Sequence, residues 1–186
     1  MKENLEEKLI NLLKKIYNEK TAQNLNLINI NGNEELILKG VLLDDEHTCY
    51  NNYEKLEDVI TGLMISADNY GIYLENEFIG IISIFNQYYK DLTRLEISIS
   101  IKREYRNKNI GKYCLENIIS KYFKDSNNKS IHLSIREDNI KSRKMAENCG
   151  FKLYPGYKSC KKFIDLKGNL IPQVQYLLKR KDYLRK

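Results

Sequence analysis

Between residues 95 and 112 the chain contains Leu95-Glu-Ile-Ser-Ile-Ser-Ile101 and then Arg106-Asn-Lys-Asn-Ile-Gly-Lys112. The first segment alternates apolar and polar residues and predicts a strand, and the second opens a helical pattern that continues to about residue 123. The first N–H groups of a helix have no partner within it, and the helix dipole adds positive partial charge there. Because one arginine and two lysines surround the same point, this turn is suited to binding a polyphosphate.

The turn differs from the two best-known phosphate loops, since it has neither Gly-x4-Gly-Lys-Ser/Thr nor Gly-x-Gly-x-x-Gly. It reads Arg-x-x-Asn-x-Gly and resembles the Arg/Gln-x-x-Gly-x-Gly/Ala pyrophosphate loop of the GCN5-related N-acetyltransferase (GNAT) superfamily, which binds acetyl-CoA. Asn109 stands where that family usually has its first Gly. Asn is one of the few other residues that tolerate a left-handed backbone. Taken alone, the motif also fits an ordinary basic turn between a strand and a helix.

A second segment resembles the later half of the same fold. Ile131-His-Leu-Ser-Ile135 alternates as a strand, and Asn139-Ile-Lys-Ser142 then opens a short helix that closes with Gly150-Phe151. The Asn-x-x-Ser form and Glu96 are most similar to the branch with ribosomal-protein N-terminal, polyamine and aminoglycoside acetyltransferases. The two motifs are about 30 residues apart, and the resemblance extends roughly from Tyr70 to Tyr183.

The resemblance implies an α/β fold of the acyl-CoA N-acyltransferase type, with a central twisted mixed sheet and helices on both faces. Residues 1–186 suit a single acetyltransferase domain. The two strands around the 110–123 helix form one βαβ unit, so they are expected to be parallel, with a ligand between their C-terminal ends. The other patterns predict an amphipathic helix at about 3–17, a hairpin of 25–30 and 35–38 around Asn31-Gly32, a helix at 54–66, strands at 70–75 and 78–85 around Asn76-Glu77, and strands at about 151–165 and 172–180.

Acetyl-CoA is the co-substrate that the resemblance implies, and no metal is expected. Gly111 is expected to allow the diphosphate to approach the loop closely. The residues expected to hold the co-substrate are Ile99, Ile101, Arg106, Asn107, Lys108, Asn109, Ile110, Gly111, Lys112, Asn139 and Ser142.

Acetyl transfer to an amine requires a base for the amine and a donor for the oxyanion. Glu96 is the candidate base, acting directly or through a water, and backbone N–H groups around Ile97 to Ile99 are the candidate donors. The alternative for Glu96 is a surface carboxylate paired with Arg94 or Lys102.

The leaving thiolate also needs a proton or a positive neighbour. The family's usual Tyr corresponds to Ala146 in this sequence, so the acid is not identified. Ser142 is a weak candidate, and Tyr154 and Tyr176 are further stand-ins.

The acceptor is expected to be a small amine or a protein N-terminus. The region that usually builds the acceptor pocket in this family is acidic here, and a cationic amine would be attracted to it. The alternative is a helix start that carries carboxylates because the dipole favours them. The candidate acceptor-binding residues are Asp44, Asp45, Glu46 and Glu96, with Glu54, Glu57 and Asp58 nearby.

Composition and cysteine pattern bear on the membrane, the cellular compartment and the type of mechanism. The chain has no apolar run of the length that a membrane span needs and no N-terminus of signal-peptide type. Its four cysteines form no Cys-x-x-Cys pair and are expected to be reduced and buried, which predicts a cytoplasmic protein. None stands at an obvious nucleophile position, so direct attack in a ternary complex is favoured over an acetyl-enzyme.

Two further questions stay open at this level. The net charge of +6 and the basic tail offer weak support for nucleic-acid binding, which is not expected, and a homodimer is compatible with the pattern. Because Ala146 replaces the usual Tyr, the alternative function is a non-catalytic module that binds acetyl-CoA or a partner.

Overall fold

The computed structural model describes residues 24–43, 50–51, 56–89, 92–125, 128–155, 163–164 and 169–185. Its helices are α1 (Glu34–Val41), α2 (Leu56–Ser66), α3 (Ile110–Asp125), α4 (Ile140–Asn148) and α5 (Arg180–Tyr183). Its strands are β1 (Leu25–Asn29), β2 (Tyr50–Asn51), β3 (Ala67–Leu74), β4 (Glu77–Tyr89), β5 (Leu92–Ile101), β6 (Ser130–Arg136), β7 (Lys152–Leu153), β8 (Phe163–Ile164), β9 (Leu170–Ile171) and β10 (Gln173–Lys179). The helix predicted at 3–17 lies outside the described residues.

The main sheet has seven strands in the order β1-β3-β4-β5-β6-β10-β7, and β2, β8 and β9 form a small second sheet. Strand β5 pairs in parallel with β6, while the other neighbours in the main sheet are antiparallel. Helix α3 connects the parallel pair, which confirms the predicted βαβ unit. The sheet is therefore mixed, as predicted.

Helices cover both faces of the main sheet, which confirms the predicted layering. On one face α3 and α4 bury a row of apolar side chains against β4, β5 and β6, among them Cys114, Leu115, Ile119, Phe123, Ala146, Ile82, Ile97 and Ile131. On the other face Ile37 of α1 and Ile60 and Leu63 of α2 pack against Phe78 and Ile81 of β4. Side chains alternate along a strand. Glu96, which lies opposite Phe85 in the β4–β5 ladder, is therefore on the face of α1 and α2.

The second arm of the hairpin predicted around Asn31-Gly32 is wrong. The turn forms, with Gly32 at φ +78° and the Asn33 N–H donating to the Ile30 carbonyl at 3.0 Å. The chain then enters α1, because the Asn33 side chain accepts from the Leu36 N–H at 3.0 Å and two glutamates occupy the first turn. Burial of Ile37 against the sheet stabilises this helix further, and a local turn motif gives no information about such a tertiary contact.

The strand predicted at 151–165 is also wrong as a single element. Strand β7 pairs with β10 in the main sheet, whereas β8 pairs with β2 and β9 in the small sheet. Pro155 follows closely after β7 and has no N–H for a ladder, so the pairing with β10 ends there. The strand at 172–180 is confirmed as β10, and the β3–β4 turn falls at Glu75-Asn76, one residue before the predicted place.

Candidate active site

The loop before α3 presents backbone N–H groups to one side. Asn107 and Asn109 both have a left-handed backbone, with φ of +61° and +59°. The first backbone hydrogen bond of the helix runs from the Tyr113 N–H to the Asn109 carbonyl at 3.0 Å. Within the described residues, no backbone carbonyl accepts from the amides of residues 107–112. A cluster of such donors at a helix start suits an anion. The φ of Asn109 confirms the left-handed conformation that its place in the motif predicted.

The three cations of this loop have different surroundings. Arg106 turns back into the protein: its Nε donates to the Ile101 carbonyl at 2.8 Å and its Nη2 to the Leu43 carbonyl at 3.1 Å. Lys108 Nζ lies 5.2 Å from the centre of the Tyr105 ring. Lys112 Nζ lies 3.8 Å from a Glu116 carboxylate oxygen. Arg106 therefore adds charge near this loop, and two of its N–H groups hold the loop to the end of β5 and to the segment after α1.

Gly111 has a role that differs from the one expected. A Cβ on this residue would lie 2.9 Å from Met145 Sδ, 3.4 Å from Ile101 Cδ1 and 3.9 Å from Ile99 Cδ1. Its missing side chain thus faces the packing between α3, α4 and β5. Close approach of helix to sheet is what requires a small residue here.

We accordingly expect Gly111→Val to lower the free energy of unfolding of the ligand-free protein by about 1–3 kcal/mol, the usual size of overpacking. Gly111→Ala is the matched control, because the Met145 sulfur at the end of a flexible side chain can move and Ala has the better helix propensity. Urea unfolding of both variants measures the difference. Equal stability of the Val variant and the wild type would contradict this packing role.

Strands β5 and β6 pair over two residues and then part. Within the described residues their ladder joins Leu95 to Ile131 and Glu96 to His132 only. The Lys102 N–H donates to the Ile79 carbonyl of β4 at 2.9 Å. Since backbone groups alternate between the two sides of an antiparallel strand, those of Ile97, Ile99 and Ile101 point toward β6.

The parting of the strands leaves a cleft beside β5, at the place where the sequence predicted a ligand. The Ile101 carbonyl on that side already accepts from Arg106. The Ile97 N–H is used in the last rung of the β5–β6 ladder, so the Ile97 carbonyl and both backbone groups of Ile99 lie along the open edge. This edge of the sheet offers one donor and two acceptors to an extended ligand.

Glu96 stands at the narrow end of this cleft and is partly exposed. Ser134 Oγ donates to Glu96 Oε1 at 2.7 Å. The proposed pairing with Lys102 does not form, because Lys102 Nζ binds Glu77 Oε1 at 2.7 Å. The Arg94 side chain lies outside the description. The carboxylate is thus held by a neutral hydroxyl at the point where the two strands separate.

Asn139 and Ser142 lie at the wide end of the cleft, where β6 leads into α4. Asn139 caps this helix, with its Oδ1 accepting from the Ser142 N–H at 3.1 Å. Ser142 is three residues before Met145, so both lie on one face of α4, and Met145 is the neighbour of Gly111 at the start of α3. The structure therefore brings Ser142 to the side of α4 that faces the first turn of α3, where the loop ends.

The candidate acids differ in their surroundings. Ala146 is fully buried. The fully buried Tyr176 donates to Glu147 Oε1 at 2.7 Å and accepts from Arg143 Nε at 3.3 Å. Burial is the largest cause that raises the pKa of the Tyr176 hydroxyl, which makes it a weaker acid. Tyr154 lies just after β7 with its side chain well exposed. Of the three candidates, Ser142 is the one placed beside the loop.

The predicted acceptor residues are mostly not covered. Asp44, Asp45, Glu46 and Glu54 fall outside the described residues, and the side chains of Glu57 and Asp58 are not described. Among the predicted acceptor residues, Glu96 is the one whose side chain the structure describes.

Two of the cysteines are described, and both are buried thiols that form no disulfide, as predicted. Burial raises the pKa of the Cys114 thiol to about 12. A thiol that stays protonated in the core is a poor nucleophile.

Two searches within the described residues are negative. No helix there is long and apolar enough to cross a membrane. In the same parts of the chain, no three His, Cys, Asp or Glu side chains cluster so as to hold a metal ion.

Comparison with known proteins defines the class. Residues 40–151 match the acetyltransferase (GNAT) family, and the chain belongs to that family. No curated protein sequence is a significant match.

Solved structures share the fold at low identity. A chimera of the spermidine N-acetyltransferase from Vibrio cholerae has a TM-score of 0.68 at 17% identity, over 88% of this chain and 99% of that one. The enzyme from Vibrio cholerae in complex with CoA and spermine has 0.68 at 17%, over 87% and 99%. A ribosomal-protein alpha-N-acetyltransferase in complex with coenzyme A has 0.64 at 16%, over 86% and 96%.

Family membership confirms the fold class and the reaction class that the two motifs predicted. The protein is an N-acetyltransferase that takes its acetyl group from acetyl-CoA. The neighbouring structures include both polyamine and ribosomal-protein acetyltransferases, the branches that the Asn-x-x-Ser motif indicated.

The sequence analysis did not predict three features of this site. They are the hydrogen bond from Ser134 to Glu96, the hydrogen bond from Arg106 to the Leu43 carbonyl, and the packing of Gly111 against Met145. Strand alternation alone places Ser134 on the same face of β6 as His132. Only the register of β6 against β5 shows that this face meets Glu96.

Proposed function

We propose that this acetyltransferase acts on the primary amine of a small cationic acceptor of polyamine or aminoglycoside type, with a protein N-terminus as the second acceptor class. Attack is direct, with both substrates bound. The observation that carries the proposal is the Glu96 carboxylate at the point where β5 and β6 part.

The loop and the open strand edge fit acetyl-CoA. Amides of residues 107–112 without backbone partners suit a diphosphate, and the free edge of β5 suits an arm with amide groups. When bound, acetyl-CoA supplies an acetyl group activated as a thioester. The residues that would hold it are those of the loop, Ile99 on β5, and Asn139 and Ser142 at the start of α4.

Glu96 serves the acceptor. A primary amine of lysine type has a pKa near 10 and is protonated at neutral pH. A carboxylate at the cleft both attracts the ammonium group and takes its proton, directly or through a water. The Ile99 N–H faces the cleft beyond the end of the β5–β6 ladder and supports the developing negative charge on the carbonyl oxygen.

The described cysteines support direct attack. Cys114 and Cys149 are both buried among apolar side chains, and a nucleophile for an acetyl-enzyme must reach the substrate. Kinetics in which both substrates must bind before either product leaves are therefore expected.

A panel assay tests the acceptor class. Release of free thiol from acetyl-CoA is measured with a polyamine, an aminoglycoside, a peptide with a free N-terminus and the same peptide with a blocked N-terminus. Turnover with the first two supports the proposal, and turnover with the free peptide alone moves the function to the second class. If CoA binds but no amine releases thiol, the non-catalytic reading replaces the proposal.

The acidic segment gives a further prediction for the small-cation reading. Neutralising Asp44, Asp45 and Glu46 together is expected to raise KM for a polyamine roughly 3- to 10-fold at low salt, since one ion pair in contact with water is worth about 0.2–1 kcal/mol. The effect should shrink with added salt because of screening. CoA affinity is the internal control and should stay constant. A wild-type KM in the triple variant at low salt removes the support that this segment offers.

A further inference from the structure

A line of polar side chains runs from Glu96 across the next two strands of the sheet. Ser134 of β6 lies with its Oγ 2.7 Å from Glu96 Oε1 and 2.9 Å from Gln175 Oε1 of β10. Gln175 is buried, and its Nε2 donates to Gln173 Oε1 at 3.3 Å. The hydroxyl on β6 therefore has one acceptor on each of the two neighbouring strands, β5 and β10.

The hydrogen count of this group is informative. A serine hydroxyl has one hydrogen, and here it has two oxygen acceptors within hydrogen-bond distance. It donates to one of them at a time. Rotation about the Cβ–Oγ bond moves the hydrogen between the two, and neither side chain needs to move.

We infer that Ser134 is a positioning residue that supports Glu96 in both of its protonation states. While Glu96 is a carboxylate, the Ser134 hydroxyl donates to it. When Glu96 takes the proton of the amine, its own O–H donates to Ser134 Oγ, and the Ser134 hydrogen turns to Gln175 Oε1. The amine proton ends on Glu96 and the serine hydrogen stays on the serine. This inference rests on the proposed role of Glu96 as base.

The geometry also accounts for the placement of Gln175. Gln175 is a buried residue, and a buried acceptor is stabilised when a donor is directed at it. Ser134 supplies that donor when Glu96 is protonated. The Gln175 amide oxygen is then the acceptor of the Ser134 hydroxyl hydrogen.

A double-mutant cycle tests the inference. Ser134→Ala should lower kcat about 10-fold or more, the change that loss of a hydrogen bond to a charged group corresponds to. KM for the amine and Kd for CoA should change less than about 3-fold by the same scale. Ser134→Thr keeps the hydroxyl, suits a strand and should restore kcat to near the wild-type value. In a Glu96→Gln background, Ser134→Ala should have no further effect, because the group that it serves has lost its basicity.

The outcomes separate the two claims. A wild-type kcat for Glu96→Gln overturns the base itself and, with it, the reason for Ser134. A low kcat for Glu96→Gln together with a wild-type kcat for Ser134→Ala overturns the role of Ser134 alone. The same follows if the two losses simply multiply in the double variant, or if Ser134→Thr fails to recover.

Discussion

In the Glu96→Gln variant we expect kcat to fall by roughly 100-fold or more, the lower range of what a positioned general base contributes. Gln keeps the size of the side chain, and its amide oxygen can still accept the bond that Ser134 donates at 2.7 Å. The change therefore removes charge and basicity while leaving the contact. The remaining rate should depend on removal of the amine proton by solvent, so the pH–rate profile should move to higher pH.

Calorimetry with CoA provides the control for this variant. The loop that we propose to bind the diphosphate begins ten residues after Glu96, beyond the far end of β5, so Kd for CoA should stay near the wild-type value. A variant with the wild-type kcat and pH profile would show that Glu96 is not the base. A loss of CoA affinity as large as the loss of kcat would instead assign Glu96 to co-substrate binding.

Asn109→Val is expected to weaken CoA binding about 10-fold or more. Asn109 has φ +59°, where a β-branched residue is a genuine outlier. A strained backbone of this kind costs on the order of 1–3 kcal/mol, and about 1.4 kcal/mol corresponds to a factor of ten in Kd. The Val variant relieves this strain by moving the loop, which turns the donor N–H groups away from the anion.

Asn109→Gly is the matched control, because Gly adopts the left-handed conformation at no steric cost and is the residue that the family loop usually has here. It should bind CoA at least as tightly as the wild type. Both variants leave the α3 core contacts in place, so thermal unfolding of the ligand-free proteins checks that each is folded at the temperature of the binding measurement. Equal CoA affinity of the Val and Gly variants would contradict a loop whose function depends on this backbone conformation.

Part of the candidate site was predictable because its determinants are close in the sequence. The strand before residue 102, the helix from Ile110 and the left-handed Asn109 follow from alternation, helical spacing and the side chain at one position. The register of the βαβ unit then places Glu96 at the parting of β5 and β6. The hairpin predicted at residues 25–38 was wrong in its second arm. The local turn signal was correct, but Asn33 also caps a helix, and the packing of this helix on the sheet has no local signal.

Short-range pattern is enough to specify the conformation of the loop before α3, because dihedral preferences and helix starts depend on residues a few positions apart. The partners of its key side chains depend instead on how strands align. Ser134 meets Glu96 across 38 residues and Arg106 meets Leu43 across 63, and neither contact has a signal in the intervening sequence. Gly111 is small because Met145 of another helix packs over it. Such contacts depend on strand order, on strand register and on the close packing of two cores. These properties are determined by the whole chain together, so the contacts exist only in the folded protein.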